Sequence, residues 1–403
     1  MQNKINILGI NIDNISKNDL KDSISSLLNS SSFQYIVTPN PEIILKAITD
    51  EEYFYIINNA SLAPADGIGL KFAALVTGNI IPRITGVEIT DELLNICNHL
   101  QKKVLIVNWK DGLSSDIDIQ TALNKKYQDL NFFVHSMPRE RDNWKSILNQ
   151  TEILKYEPDV VFCLFGAPYQ EKFIYHIAKK IPNVKLAIGV GGAFDFFTNK
   201  IKRAPGIFRI IGLEWLWRLI KQPKRWKRIY NAVVVFPFKF LRWQFILPLF
   251  YRKNVACLIY KKENNKRFVL LVEREDCEDY WQLPQGGTDG EKIETAGQRE
   301  LFEELNSSKF KFVCAYKNQY KYKFGQRNED SEYIKIVKKH LGYKGQSQSL
   351  YIAEFTGKDT DIRINFWEHT NWKWVPEENV LNTVHDCRKK AMNIYLNIFS
   401  KIK

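Results

Sequence analysis

The sequence has little of what cross-linked or zinc-knuckle domains are built from. Its six cysteines, Cys97, Cys163, Cys257, Cys277, Cys314 and Cys387, are scattered and form no CxxC pair, and its six histidines form no HxxxH pair. A disulfide framework and a zinc site are both disfavoured, and reduced thiols are expected. No run reaches the roughly 18 uncharged apolar residues that a spanning helix needs, so none is expected. The first residues, MQNKINILGI, are too polar for a signal peptide, and a cytoplasmic chain is expected. Acid is scarce relative to base: 45 Asp and Glu against 58 Lys and Arg give a net charge of +13. That balance favours anionic partners, whether nucleotides, phosphorylated lipids, acidic membranes or nucleic acid, without choosing among them. What is abundant is apolar and aromatic material, with 25 Phe, 18 Tyr and 10 Trp in 403 residues, which argues against disorder. The length predicts two or three domains.

Residues 1–200 alternate strand-like and helix-like runs. The expected strands are INILGINI, FQYIVTPN, KVLIVN, LNFFVH, DVVFCLFG and VKLAIGVGG; between them KNDLKDSISSLLNS, PEIILKAITDEEYFYIINNA and YQEKFIYHIAKKI read as helices. This alternation predicts a Rossmann-like α/β domain with a mostly parallel sheet. Composition changes after Glu214. Residues 215–252 hold nine Lys or Arg, eleven aromatics and no acid. New strands begin at NVACLIYKK and RFVLLVERE, so a boundary is expected at 245–252, dividing the chain into 1–245 and 250–403.

The sharpest local pattern is WQLPQGGTDGEKIETAGQRELFEELN, residues 281–306. On a helix Glu300, Glu303 and Glu304 share one face at i, i+3 and i+4. Three carboxylates side by side repel unless a cation neutralises them, and hard oxygen ligands facing a phosphate suit Mg²⁺ or Mn²⁺. Glu291, eight residues before Arg299, is placed to pair with it. A solvated acidic face is the plainer reading, but Gly286-Gly287, Glu291 and Arg-Glu-Leu-x-Glu-Glu in one frame favour the metal. The pattern resembles the signature of the Nudix hydrolases. It departs in two places: the loop from Gly286 to Glu291 is one residue short, and Asn306 replaces the glycine that ends the helix, a mild change because Asn tolerates a left-handed cap. Flanking segments, YRKNVACLIY, YKGQSQSLYIAEF and EHTNWKWVPEENVLNTVHDCRKKAM, are similar to the RNA pyrophosphohydrolase and diadenosine polyphosphate hydrolase branch. The resemblance implies an α+β fold with a mixed sheet between helices. It implies metal ligation by Glu300, Glu303, Glu304 and Glu368, with one of these as the base, and structural support from Gly286, Gly287, Glu291 and Arg299. It also implies a phosphate contact at Arg252 and water attack on a nucleoside polyphosphate or an RNA 5′-triphosphate end.

The first half carries no single decisive motif. TPNPEIILKA, ADGIGLKFAA, RITGVEITDELL, FGAPYQEKFI, GVGGAFDFF and KRAPGIFRIIGLEWLWRLIKQPKRWKRIY, in this order, resemble the WecG/TagA/CpsF family, glycosyltransferase family 26. The resemblance implies transfer of an N-acetylmannosamine-type sugar from a UDP donor to a polyprenyl-diphosphate-linked acceptor, with no cofactor firmly implied. Asp66 matches the family's proposed base, and inverting transfer needs one to deprotonate the acceptor hydroxyl; read alone, Asp-Gly is an ordinary turn. Thr38 and Asn40 sit at a strand end where α/β sheets place ligands. Gln170 and Glu171 open a helix beside it. Arg83, Lys202, Arg203, Arg218, Arg225 and Arg228 are candidates to neutralise diphosphate. Two decoys are set aside. Gly189-Val190-Gly191-Gly192 lacks the rest of a dinucleotide fingerprint. Asp116-Ile-Asp118 has the form of a metal-binding DxD, but it begins a helical run, where capping is at least as good a reading.

Residues 215–250, basic and aromatic but interrupted by Lys239 and Arg242, are read as an interfacial segment on an anionic membrane. A buried helix with linker and a nucleic-acid contact are the other readings. The whole predicts a bifunctional enzyme of cell-envelope polysaccharide assembly, peripheral on the inner face of the membrane, with a homo-oligomer among its expected partners. The rival reading is a hydrolase whose first half only anchors or binds UDP-sugar.

Overall fold

The computed structural model describes residues 4–202, 204–206, 208, 214–221, 223–324 and 342–402. Contacts divide the chain into Met1–Phe240 and Leu241–Lys403.

In the first unit β3 (Gln34–Ile36), β4 (Val104–Trp109), β5 (Phe132–Met137), β6 (Val160–Cys163) and β7 (Leu186–Gly189) form one sheet in the order β3-β7-β6-β4-β5. Every pairing is parallel. Strands β4, β6 and β7 are almost wholly buried, as expected of a sheet covered by helices on both faces. Two expected elements divide. INILGINI is a hairpin, β1 (Lys4–Ile7) and β2 (Ile10–Asp13), because Leu8 and Gly9 take positive φ of 54° and 87° and turn the chain. The long helix expected after Asn40 breaks into Pro41–Ala47 and Glu51–Asn58, because the Asp50 side chain accepts from Tyr53 N and starts a second helix.

The second unit is a mixed sheet. β8 (Tyr251–Glu263) lies between β9 (Lys266–Arg274), antiparallel, and β13 (Gly345–Phe355), parallel. β12 (Phe310–Lys323) pairs with β13, β14 (His369–Pro376) and β10 (Trp281–Gln282) pair with β9, and β11 (Gln285–Gly287) pairs with β8. Alternation along β8 serves two cores. Val255, Cys257 and Ile259 pack with Leu301 and Leu305 of the Ile293–Leu305 helix; Ala256, Leu258 and Tyr260 pack with Met392, Tyr395 and Phe399 of the Lys389–Phe399 helix.

No run of 18 uncharged apolar residues occurs, yet among the described residues one helix passes on average hydropathy. Trp226–Leu249 is 24 residues long and apolar enough by length and composition. Lys239 and Arg242 break the apolar run without lowering its average enough. Its hydrogen bonding widens to π turns at Asn231–Val235 and Arg242–Ile246; the first lies just before Pro237, which brings no N–H to the helix. Phe236 and Phe240 are fully buried, while Tyr230, Val234, Phe238, Leu241, Phe245 and Leu249 are exposed at helical spacing. The segment thus has a docked face and an open apolar stripe.

Candidate active sites

In the first unit three loops are stitched together at the carboxyl end of β3. Asp66 N donates to Pro39 O (2.8 Å) and Ile84 N donates to Ala65 O (3.0 Å), which brings the segments holding Thr38, Asp66 and Arg83 side by side. The Gly86–His99 helix starts there behind a capping box of Thr85 and Glu88. Gly86 N, at its first turn, donates to Asp66 Oδ2 (3.3 Å), so the carboxylate lies where the helix dipole favours negative charge. A Cβ on Gly86 would lie 3.6 Å from Thr38 Oγ1 and 3.9 Å from Asp66 Oδ2, so both polar groups converge on the start of this helix. Thr38 is buried and Asp66 half-buried. Asn40 is committed locally: its Oδ1 caps the Pro41–Ala47 helix through Ile43 N (3.0 Å).

Gln170 forms the second feature of this edge. Its Oε1 accepts from Gly166 N (3.1 Å) and Gly191 N (2.8 Å), tying the loops after β6 and β7, and its Nε2 donates to Glu171 Oε1 (2.7 Å). A Cβ on Gly189 would stand 2.7 Å from Gln170 Nε2, so the GVGG sequence serves this approach rather than a dinucleotide. Glu171 is fully buried, also accepts from Tyr53 (3.1 Å), and is raised above the usual carboxylate range by burial. Asp118 is the acidic member of a capping box with Ser115, and Asp116 accepts from Asn108 and Ser136, so the DxD pair is spent on local structure.

The arginines separate. Arg228 pairs with Glu42 (2.6 Å), and Arg225 lies near enough to Asp195 to oppose the rise that burial gives its carboxyl. Arg83 is half-buried with its Nε unbonded but is not without partners. Arg218 lies in the Glu214–Lys221 helix, its side chain outside the described residues; Arg203 is outside them altogether.

In the second unit the Ile293–Leu305 helix ends on Asn306 at φ 47°, ψ 38°, the left-handed cap expected of it. Despite the shortened loop, Glu291 meets Arg299 Nε at 3.0 Å. Arg299 Nη1 also reaches Glu300 (2.8 Å) and Glu303 (2.9 Å), and its Nη2 donates to Gly287 O (2.7 Å). A Cβ on Gly286 would fall 1.8 Å from Glu300 Oε2, and one on Gly287 would fall 2.5 Å from Arg252 Nη2; these glycines are the space in which the charged groups sit. Burial, and after it Glu304, pushes Glu300 up to about 8.

Glu304 faces the other way. Its Oε1 accepts from Gln285 N (3.0 Å) and its Oε2 lies 2.8 Å from His369 Nε2. Among the described residues, Glu304, Glu368 and His369 bring ligand atoms within 4.8 Å of one another. Asn365 orients Glu368 by donating to its Oε2 (2.7 Å). Burial first, and Glu304 second, raises Glu368 to about 6; burial lowers His369 to about 4, so its ring is neutral and able to ligate. Glu300 and Glu368, both raised first by burial and then by the neighbouring Glu304, beside a cradle that a Cβ would fill, fit a divalent cation, and mostly oxygen donors fit Mg²⁺ or Mn²⁺. His369 escaped the sequence reading, although it stands beside Glu368. So did a cavity of about 440 Å³ lined by Lys253, Thr288, Lys292, Lys317, Asn318 and Ser349, whose lysines come from separate elements.

Comparison with known proteins agrees with this division. The model of the WecG/TagA/CpsF glycosyl transferase family matches residues 5–248, and that of the NUDIX domain matches residues 250–393. The chain is 33% identical over 195 residues to an N-acetylglucosaminyldiphosphoundecaprenol N-acetyl-beta-D-mannosaminyltransferase of Bacillus subtilis, covering 48% of this chain and 74% of that protein. It is 31% identical to the protein of the same description in Staphylococcus aureus, covering 59% and 91%. Among solved structures, a C. elegans Ap4A hydrolase binary complex is similar at 20% identity over 38% of this chain and 99% of that one; its TM-score of 0.29 carries no argument. The chain belongs to the WecG/TagA/CpsF glycosyltransferase family and carries a NUDIX hydrolase domain behind its transferase half.

Proposed function

We propose that the first half transfers N-acetylmannosamine from a UDP donor to an undecaprenyl-diphosphate-linked N-acetylglucosamine, with inversion. The observation that carries this reading is the convergence of Asp66, Thr38 and the Gly86 N–H at the carboxyl edge of β3. Asp66 takes the proton of the acceptor hydroxyl as that oxygen attacks the anomeric carbon and UDP leaves. Gln170 holds the two glycine loops against which the donor lies. Arg83 and Arg225 offset the diphosphate charge. The relatives' printed activity supports donor and acceptor. Incubation with UDP-N-acetylmannosamine and a lipid-diphosphate acceptor tests it; no transfer from any of a range of UDP-sugars, with hydrolysis intact, would favour a first half that only binds.

The second half, in this reading, hydrolyses a pyrophosphate bond of a nucleoside polyphosphate or an RNA 5′-triphosphate end. Glu300, Glu303, Glu304 and Glu368, with His369, would hold a divalent ion, which would supply Lewis acidity at the reacting phosphate. Glu368, poised by burial, takes the proton of that water, Arg299 keeps the glutamates from repelling one another, and Arg252 with the cavity lysines receives the phosphates.

The Trp226–Leu249 segment lies on the anionic inner face of the cell membrane. Its open apolar stripe and its lack of acids support this, and the lipid acceptor requires access to that surface. Failure to pellet with anionic liposomes at low salt would remove this element.

A further inference from the structure

Strand β4 is followed by β5 on one side of it, and the chain then returns across β4 to place β6 on the other. The carboxyl ends of β4 and β6 therefore flank a topological switch point, the place where open α/β sheets take ligands. Three successive loops close over it. Trp109 ends β4, Arg139 follows β5 by two residues, and Tyr169 opens the helix after β6. The guanidinium carbon of Arg139 lies 4.0 Å from the Trp109 ring centroid and 5.0 Å from that of Tyr169.

This arginine is held unlike its neighbours. Arg141 and Arg228 spend their donors on Glu52 and Glu42. Arg139 is fixed by ring faces instead. Its nearest carboxylate, Glu140 Oε1, is 3.8 Å away on a side chain 58% exposed. Its Nε is buried with no hydrogen-bond partner, and so is Nε1 of Trp109. Buried donors are nearly always paired in a network that exists for structure alone, so orphaned ones at a ligand crevice call for an acceptor from outside. A guanidinium whose plane is set by aromatic faces keeps its N–H fork for two oxygens of one anion.

We propose that Arg139, clamped between Trp109 and Tyr169 at the β4/β6 crevice, binds the diphosphate of the nucleotide donor. This rests on the reading of the first half as a UDP-sugar transferase. Arg139 touches substrate by binding it and has no part in moving the proton.

The test uses the full chain with Arg139→Met, which keeps the stem that packs on the rings, and Arg139→Lys, which keeps the charge without the fork. Donor KM in the transfer assay and titration with UDP and with uridine are compared with wild type. Thermal melting and pyrophosphate hydrolysis by the second half report on folding. The proposal expects Arg139→Met to raise donor KM and weaken UDP by about tenfold or more, with kcat and uridine binding near wild type and Arg139→Lys intermediate. Wild-type KM and UDP affinity in Arg139→Met would overturn it while leaving the transferase reading intact, and equal losses for UDP and uridine would assign Arg139 to structure. A wild-type chain that neither binds UDP nor transfers from any UDP-sugar would instead sink the reading on which the proposal stands.

Discussion

The two halves assemble charged sites in opposite ways. In the hydrolase half, Glu291, Arg299, Glu300, Glu303 and Glu304 come from one loop and the helix it enters, and Arg299 ties Glu291, Glu300 and Glu303 by direct contacts. In the transferase half, Thr38, Asp66, Gly86, Gln170 and Gly191 come from separate segments that meet only because the sheet delivers their loops to one edge. A site written into one helix is set by local periodicity and has no slack. A site gathered along an edge is set by topology, and each loop contributes a part. Single changes to the scaffold should therefore abolish the first kind outright and degrade the second by steps, the proton-accepting Asp66 excepted.

The largest effect is expected at Gly286. Gly286→Ala puts a methyl into Glu300 Oε2, so pyrophosphate hydrolysis should fall to background and melting of the second unit should drop, while sugar transfer persists. A variant that hydrolyses normally would show the helix site to have slack after all. Gln170→Ala tests the distributed site. Untying Gly166 and Gly191 should lower transfer kcat/KM by about 100-fold, the order that a misplacement of about 1 Å can cost, without touching hydrolysis. No loss would show the glycine loops to be fixed by something else. Phe238→Ser with Phe245→Ser should reduce liposome pelleting several-fold while both activities on soluble substrates hold; raising salt from about 0.1 to about 1 M, which shortens the screening length from about 10 to about 3 Å, should reduce it further. The smallest effect concerns the frame of the first unit. Burial would raise Glu52, but His176, Lys172 and Arg141 overcome it and hold the carboxyl at about 2 against an ordinary 4.5. A lowered acid stabilises the folded state above its unfolded value, so this contribution is complete above pH 4.5 and is lost as pH falls toward 2. Glu52→Gln should flatten that part of the melting-temperature profile and leave hydrolysis alone.

The same contrast decided what could be read before the fold was seen. The i, i+3, i+4 glutamates, the Glu291–Arg299 pair and the Asn306 cap depend on neighbours a few residues away, and each was legible. His369 meets Glu304 across 65 positions, brought there by the pairing of β14 with β9, and no local period announces it. Arg228 finds Glu42 across 186 positions, so a cluster of basic residues read as phosphate-binding includes one already paired. Asn40 before Pro41 carried a capping signal that its place at a strand end masked. The parallel sheet was legible because buried strands read as unbroken apolar runs. The hairpin at Leu8-Gly9 and the break at Asp50 were not, since each depends on one backbone or cap choice inside a continuous pattern. Residues 215–250 were legible as a membrane-contact segment, but the two charges Lys239 and Arg242 hid that Trp226–Leu249 is also one helix long and apolar enough, by length and composition, to span.

The central claim is that one chain carries two active sites that work independently. Assaying Asp66→Asn and Glu304→Gln for both activities on the same preparations tests it most directly. The account predicts a crossed result: Asp66→Asn loses sugar transfer and keeps wild-type pyrophosphate hydrolysis, and Glu304→Gln does the reverse. Loss of both activities in either variant, with its melting unchanged, would contradict it.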